Sequence, residues 1–110
     1  MSERGDREYA ADIGEAIRRI LNYTRDLTYA QFLADPKTQD AVVRNLEIMG
    51  EAVKHLSATF KKQHPDVEWS KIAGLRDRLM HHDFGVNLDI LWNVIQTRLP
   101  ELLEQLRPRE

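Results

Sequence analysis

The sequence of 110 residues contains no cysteine, which excludes disulfide bonds and thiolate metal sites. It also contains no apolar run of the roughly 18 or more residues that a membrane-crossing helix needs. The N-terminal residues MSERGDREYA are charged and lack the apolar segment of a cleaved secretory signal. We therefore expect a soluble protein in the reducing environment of the cytoplasm, with no contact to membranes.

Glycine and proline are scarce, with five and four residues, and most of them fall between segments of regular apolar spacing. This distribution is typical of a helical domain with short connections. The length predicts one domain, residues 1–110, that is large enough to form a core without disulfide bonds. The net charge of −2 does not indicate nucleic-acid binding by the whole molecule, so such binding would need a local patch.

Two long amphipathic helices dominate the first half of the sequence. The first is predicted from Asp6 to Leu27 and the second from Asp35-Pro36 onward, where an aspartate can cap the helix and proline suits its first turn. Each has apolar residues at alternating spacings of three and four, which predicts antiparallel packing through matching faces. These residues are Tyr9, Ile13, Ala16, Ile20, Tyr23 and Leu27 in the first helix, and Val42, Leu46, Met49, Val53, Leu56 and Phe60 in the second.

Between these helices, a short aromatic link from Tyr29 to Ala34 is expected to close the end of the bundle with Phe32 and Leu33. Within the second helix, Gly50 costs about 1 kcal/mol relative to alanine, which indicates that another backbone approaches closely there.

The second half is predicted to contain two further helices. A polar loop, Lys61 to Glu68, precedes the third helix, which is expected to end at a left-handed Gly85. Asn87 is predicted to cap the fourth helix, and Pro100 to bend it without ending it. Its apolar face consists of Leu88, Leu91, Trp92, Ile95, Leu99, Leu102 and Leu106. The fold class is therefore all-α, an antiparallel bundle of four to five helices.

The stretch IAGLRDRLMHHDFG, residues 72–85, places charge inside an apolar helical pattern. On a helix, Ile72, Leu75, Leu79 and Met80 form an apolar stripe, and Arg76 falls among them. A guanidinium removed from water must be paired or hydrogen-bonded. The position therefore predicts a partner for Arg76, which could be a carboxylate, a second subunit or a phosphate.

His81 would share a helix face with Asp77 and Arg78, which precede it by four and three residues. A carboxylate can orient an imidazole and an arginine can bind phosphate, so the group suits proton transfer at a phosphodiester. A structural alternative is that His81 and His82 stabilise the C-terminus of the helix and that the arginines are solvated. The two adjacent histidines would point apart, so neither a metal site nor a cofactor is expected.

Two blocks of the sequence resemble the HepT-like toxins of the HEPN superfamily, which are small helical ribonucleases of toxin–antitoxin pairs. The blocks are VVRNLEIMGEAVKHLS and PDVEWSKIAGLRDRLMHHDFGVNLDILW, and the family signature of arginine, a polar residue, three more residues and histidine falls on residues 76–81. The resemblance implies a HEPN-like bundle that forms a homodimer, in which the signature helices of two protomers line a shared cleft. It also implies metal-independent cleavage of RNA through the RNA's own 2′-hydroxyl.

The resemblance assigns roles to particular residues. His81 would be the general acid or base, Arg76 the cation that binds phosphate and stabilises the transition state, and Asp77 the orienting polar group. Further contacts to RNA, or support of the cleft, would come from Arg78, His82, Arg44, Asn45 and Glu51. The implied partner is a nucleotidyltransferase-type antitoxin.

The sequence departs from the family pattern at two positions. Asp77 stands where the family often has asparagine, and Asp83 where it commonly has the tyrosine that can accept an inactivating nucleotide. We hypothesise that Asp83 lowers activity through its negative charge and removes the usual site of modification. The alternative function is a catalytically weak or inactive HEPN-type module that binds a nucleotide or a partner.

Overall fold

The computed structural model describes residues 4–81 and 85–108, and at position 81 it describes the backbone alone. Short connections join helices over most of this part of the chain. The helices are α1 (Asp6–Thr24), α2 (Tyr29–Leu33), α3 (Pro36–His55), α4 (Ala58–Lys62), α5 (Trp69–Ala73), α6 (Leu75–Leu79), α7 (Leu88–Asn93), a π-helical segment (Val94–Arg98) and α8 (Leu99–Gln105). Two short strands, β1 (Met80–His81) and β2 (Gly85–Val86), lie between α6 and α7. The predicted all-α bundle is confirmed.

The long helices α1 and α3 pack against each other along their length in antiparallel orientation. At one end, the ring of Tyr9 in α1 stacks on that of His55 in α3, with centroids 4.9 Å apart. Nearby, the backbone N–H and the hydroxyl of Ser57 donate to the carboxylate of Asp6 at 2.8 and 2.6 Å. The start of α1 therefore meets the end of α3, as predicted.

Both long helices end earlier than the regular apolar spacing predicted. α1 ends at Thr24 instead of Leu27, and Tyr23 is exposed while Ile17 is buried. A strict alternation of three and four residues drifts by about 20° per heptad on a straight helix, so the buried stripe moves off Tyr23. Likewise, α3 ends at His55, and Phe60 lies in the separate helix α4.

Predicted helix starts agree with the structure. The carboxylate of Asp35 accepts a hydrogen bond from the backbone N–H of Thr38 at 3.1 Å, and the side chain of Asn87 accepts one from that of Ile90 at 3.1 Å. Both caps satisfy amide groups that have no partner inside the helix. In α2, Phe32 is buried, whereas Leu33 is exposed and does not close the bundle.

A single third helix ending at Gly85 was predicted, and this prediction is wrong. Gly74 separates α5 from α6 with φ −98° and ψ 7°, and α6 ends at Leu79 because Met80 is extended. Glycine inside a helix costs about 1 kcal/mol, which makes position 74 a weak point of the helical pattern. Gly85 does have a positive φ of 74°, but it begins β2.

The strands form a two-residue antiparallel ladder in which Met80 pairs with Val86 and His81 with Gly85. The backbone N–H of Asn87 then donates to the carbonyl of Leu79 at 2.7 Å and joins the ladder to α7. The backbone of His81 is thus held in extended conformation beyond the end of a helix.

The last helix continues through Pro100, as predicted. It does so with a π-helical turn, in which the N–H of Leu99 bonds to the carbonyl of Val94 five residues earlier. This wider turn precedes a residue that has no N–H of its own to donate. Leu91, Ile95, Leu99 and Leu102 on this helix are buried in the core. Within the described residues, no helix combines the length and apolar character needed to cross a membrane.

Candidate active site

A groove of about 510 Å³ lies between α3, the two strands and the start of α7, and we call it the α3 groove. Its lining combines an apolar part with charged groups of α3. The lining residues are Gln39, Asp40, Val43, Arg44, Glu47, Met80, Gly85, Val86 and Leu88. Because Met80 lines the groove and precedes His81 in β1, the ladder brings the backbone of the predicted catalytic histidine to this groove.

Arg76 on α6 pairs with Glu47 on α3. The Nε atom of Arg76 lies 2.9 Å from Oε1 of Glu47, and the two side chains are 40% and 44% exposed. The Nε atom is itself buried and makes no hydrogen bond to the described residues, so its N–H is not directed at the carboxylate. The contact is therefore an ion pair, and a carboxylate is one of the three kinds of partner that the sequence predicted for this arginine.

Asp77 makes a weaker contact with the same guanidinium. Its Oδ1 lies 3.5 Å from Nη1 of Arg76, and its side chain is 84% exposed. A long contact at such an exposed carboxylate contributes little binding energy. Among the described residues, Glu47 is thus the main anionic partner of Arg76.

The predicted shared helix face of Asp77 and His81 is wrong. Asp77 lies in α6, whereas His81 follows the end of that helix and belongs to β1. The structural alternative required His81 to lie in the last turn of a helix. It does not, because α6 ends two residues earlier. The side chain of His81 and the whole of His82 and Asp83 lie outside the described residues.

Arg44 and Arg78, both predicted to bind RNA, lie in different places. Arg44 is exposed and lines the α3 groove. Arg78 lines a separate cavity of about 380 Å³, which shares no lining residue with the groove. Its guanidinium donates to the backbone carbonyl of Lys71 within α5. Arg44 therefore joins Arg76 at the candidate site, and Arg78 stabilises the break between α5 and α6.

The other α3 candidates, Asn45 and Glu51, do not line the groove. Asn45 is buried and its side-chain amide donates to the carbonyl of Ala41 at 2.9 Å. Glu51 is exposed and forms an ion pair with Lys54 at 3.7 Å. On α3, therefore, neither residue joins Arg44 and Glu47 at the groove.

Sequence reasoning missed Glu47 and held only part of a signal for it, because Gly50 predicted a close backbone but not that Ala73 provides it. A Cβ atom on Gly50 would lie 3.1 Å from the carbonyl oxygen of Ala73, so these residues mark the contact between α3 and the third helical segment. When two helices pack antiparallel, a residue one turn earlier in the first helix lies opposite a residue one turn later in the second. That step leads from Gly50 to Glu47 and from Ala73 to Arg76, which are the two residues that pair.

The described charges around the groove do not make it strongly cationic. Arg44, Asp40 and Glu47 line the groove, and Arg76 and Asp77 are connected to it through the contact of Arg76 with Glu47. These two positive and three negative residues leave a difference of one negative charge. Among the described side chains, no group of three or more histidines and carboxylates is placed to hold a metal ion.

A family model described as "Ribonuclease HepT-like" matches residues 13–108. The chain belongs to the HepT-like ribonuclease family. The match spans both sides of the candidate site, from Arg44 and Glu47 on α3 to Arg76 and the backbone of His81. Family membership confirms the resemblance that the two sequence blocks carry.

Two relatives illustrate how far the similarity of this HepT-like chain extends. It is 43% identical over 108 residues to a Thermococcus cleftensis protein named "Probable ribonuclease HepT", covering 96% of this chain and 98% of that protein. It is 41% identical over 106 residues to a Methanocaldococcus jannaschii protein named "Putative RNase MJ0127", covering 96% and 88% of the two chains. No solved structure was found to match the HepT-like chain.

Proposed function

We propose that this chain is an endoribonuclease and the toxin of a toxin–antitoxin pair. The proposal rests chiefly on one observation, the ion pair between Arg76 and Glu47, a residue that lines the same groove as Met80 and Gly85, the strand neighbours of His81. Membership of the HepT-like ribonuclease family and the names of the relatives support RNA as the substrate.

In the proposed reaction, the 2′-hydroxyl of the RNA loses its proton and attacks the adjacent phosphorus atom. The bond from phosphorus to the 5′-oxygen of the next nucleotide breaks, and that oxygen takes up a proton. The products are a 2′,3′-cyclic phosphate and a 5′-hydroxyl end. The imidazole of His81 takes up the proton of the 2′-hydroxyl, and the protonated imidazole returns one to the 5′-oxygen. Asp77 orients the reacting groups, and no metal ion takes part.

Arg76 is the cation that stabilises the transition state in this proposal. A guanidinium can bind two phosphate oxygens in fork geometry, and negative charge grows on those oxygens as the fifth bond to phosphorus forms. Arg44, exposed at the same groove, would bind a neighbouring phosphate of the RNA. His82 is a further candidate for contact with the RNA.

We further propose that the active form is a homodimer with a composite site. The exposed side chain of Met80 and the half-buried side chains of Val43, Val86 and Leu88 give the α3 groove an apolar part. A second copy packed there would remove this surface from water. It would also bring a second set of Arg76 and His81 to the same cleft.

The proposed partner is a nucleotidyltransferase-type antitoxin, which follows from the resemblance to HepT-like toxins. Asp83 has no phenolic hydroxyl that could accept a nucleotide. We therefore propose that an antitoxin restrains this chain by a route other than nucleotide transfer to position 83.

Cleavage of single-stranded RNA by the purified full chain in the presence of a chelator tests the proposed activity. We expect products with cyclic phosphate ends. Arg76→Ala and His81→Ala should each lower the rate by about 100-fold or more, because each removes a group that acts in the transition state.

Arg18→Ala and His55→Ala are matched controls that change the same residue types away from the groove. Arg18 is an exposed residue that pairs with Glu15 on α1, and His55 stacks on Tyr9 at the opposite end of α3. Both variants should cleave RNA at the rate of the starting protein. Absence of cleavage by the starting protein would contradict the proposal.

A binding module without catalytic activity is the second candidate function. The surplus of negative charge among the described residues of the groove favours it, because like charge opposes binding of the RNA backbone. This function predicts no cleavage by the starting protein, together with measurable binding of a nucleotide or of the nucleotidyltransferase partner.

A further inference from the structure

We infer that Glu47 is a positioning residue for Arg76, one that holds the Nε edge of the guanidinium so that its other edge can bind a phosphate. This inference rests on the proposed function, because it assigns Arg76 the phosphate of the substrate. It concerns a residue of α3, outside the stretch that carries the family signature.

Close backbone contact fixes α3, which carries Glu47, against α5, the segment that directly precedes α6 and Arg76. In this contact, Gly50 lies one turn from Glu47 on α3, and Ala73 precedes Arg76 by three residues across the break at Gly74. Since a side chain on Gly50 would have to displace a backbone carbonyl, α3 and α5 have little freedom to slide at this point. A carboxylate on α3 is therefore a rigid reference point for an arginine on the short helix α6.

The geometry assigns the two edges of the guanidinium to different partners. Glu47 lies against Nε at 2.9 Å, whereas Nη1 makes only the long contact of 3.5 Å with Asp77. An arginine can bind an oxyanion in fork geometry through its two terminal nitrogens. A phosphate can thus bind at the Nη edge and leave the contact with Glu47 in place.

A contribution to folding stability does not by itself explain why Arg76 and Glu47 form an ion pair. Both side chains are about two-fifths exposed, and ion pairs at such positions contribute little to the free energy of folding because water screens them. Orientation is a stronger effect, since a displacement of about 1 Å at a catalytic group can lower a rate by about 100-fold. Loss of Glu47 should therefore change catalysis far more than it changes the melting temperature.

The negative charge of Glu47 could also act against substrate binding, and the two effects differ in their kinetic signatures. If Glu47 mainly repelled phosphate, its removal would lower KM and leave kcat unchanged or higher. If it positions Arg76 for the transition state, its removal lowers kcat with little change in KM.

Steady-state RNA cleavage by the full chain separates these outcomes. We expect Glu47→Ala to lower kcat by about 10- to 100-fold with a change in KM below about threefold. Glu47→Gln should lower kcat as Glu47→Ala does, because the contact with Nε is an ion pair and a glutamine amide carries no charge. The matched control is Glu51→Ala, which removes a glutamate one turn along α3 that pairs with Lys54 and does not line the groove. This control should keep the kinetics of the starting protein.

A second measurement does not depend on cleavage. In nitrogen-15 spectra of the arginine side chains, the Nε–H group of Arg76 should be ordered in the starting protein and in Glu51→Ala. It should become mobile in Glu47→Ala. An unchanged Arg76 signal in Glu47→Ala, or a lower KM with undiminished kcat, would overturn the positioning role. If the starting protein did not cleave RNA, the proposed function would fail, and the spectra would still decide whether Glu47 holds Arg76.

Discussion

A Cβ atom on Gly50 would lie 3.1 Å from the carbonyl oxygen of Ala73, so α3 and α5 touch through their backbones. Gly50 lies one helical turn from Glu47 on α3, and Ala73 precedes Arg76 by three residues across the break at Gly74. The packing of α5 on α3 therefore adjoins the ion pair that α3 and α6 form.

Gly50→Ala should lower the free energy of unfolding by about 1–2 kcal/mol. Overpacking typically costs about 1–3 kcal/mol, and the better helix propensity of alanine offsets up to about 1 kcal/mol of it. The backbone carbonyl of Ala73 can move only with α5, so the strain should also shift α6 and Arg76. Urea denaturation measures the stability, and RNA cleavage measures the effect on the site.

Gly14→Ala is the matched control, because Gly14 also lies within a long helix and is also buried. An added Cβ there would meet the guanidinium of Arg18 at 3.3 Å, which is the far end of a flexible side chain. This substitution should be neutral or stabilising by up to about 1 kcal/mol. Equal stability of the two variants would mean that the contact with Ala73 is not restrictive.

The pH dependence of stability should depend on two aspartates at helix starts. Hydrogen bonds from Ser57 lower the pKa of Asp6 below 3.8, and those from Thr38 lower the pKa of Asp35 below the same value. A carboxylate with a lowered pKa in the folded state binds fewer protons there than in the unfolded state. Its stabilising effect is therefore present above the unfolded pKa and is lost as the pH falls through the folded pKa.

Asp6→Asn and Asp35→Asn should each flatten the fall in stability at acidic pH, measured by urea denaturation from neutral pH to below the ordinary aspartate pKa. Ser57→Ala provides a check from the donor side, because it removes the hydroxyl that donates to Asp6 at 2.6 Å and keeps the carboxylate. It should flatten the curve in part. A curve for Asp6→Asn with the same slope as that of the starting protein would contradict this account.

The features that the sequence predicted correctly are local ones. The caps at Asp35 and Asn87 depend on residues three positions apart, and the facing stripes of α1 and α3 depend on helical periodicity. Gly50 indicated that another backbone was close, because a glycine inside a long helix is otherwise unfavourable.

The features that the sequence did not predict depend on contacts between distant segments. Residues 72–81 have a helical apolar pattern, yet β1 forms because Met80 pairs with Val86 and Leu79 accepts a bond from Asn87. The sequence allowed three kinds of partner for Arg76. Only the packing of α6 on α3 selects Glu47.

Asp83→Tyr should raise RNA cleavage and create an acceptor for nucleotide transfer. The interaction of two unit charges at close range is worth about 1 kcal/mol in water, so loss of the charge that we hypothesise to oppose the phosphate should raise the rate by up to about fivefold. Cleavage assays measure the first effect. Incubation with a nucleotidyltransferase-type antitoxin and ATP, followed by intact-protein mass spectrometry, measures the second.

Asp83→Asn separates the effect of the lost negative charge from the effect of the added hydroxyl group, because it removes the charge without adding an acceptor for the nucleotide. It should share the rise in cleavage and remain unmodified by the antitoxin. If Asp83→Tyr changed neither cleavage nor susceptibility to the antitoxin, position 83 would have no part in activity or its regulation.

Mixing two inactive variants tests whether the site is composite. In the proposed homodimer, Arg76 of one protomer acts with His81 of the other, so an Arg76→Ala chain paired with a His81→Ala chain has one site with both native groups. Random exchange makes about half of all dimers mixed, and each has one intact site of two, so about one quarter of the starting activity should return. The measurement is RNA cleavage after co-refolding the variants in equal amounts. If both groups of a site came from the same protomer, every site in the mixture would lack one of them, and no activity would return.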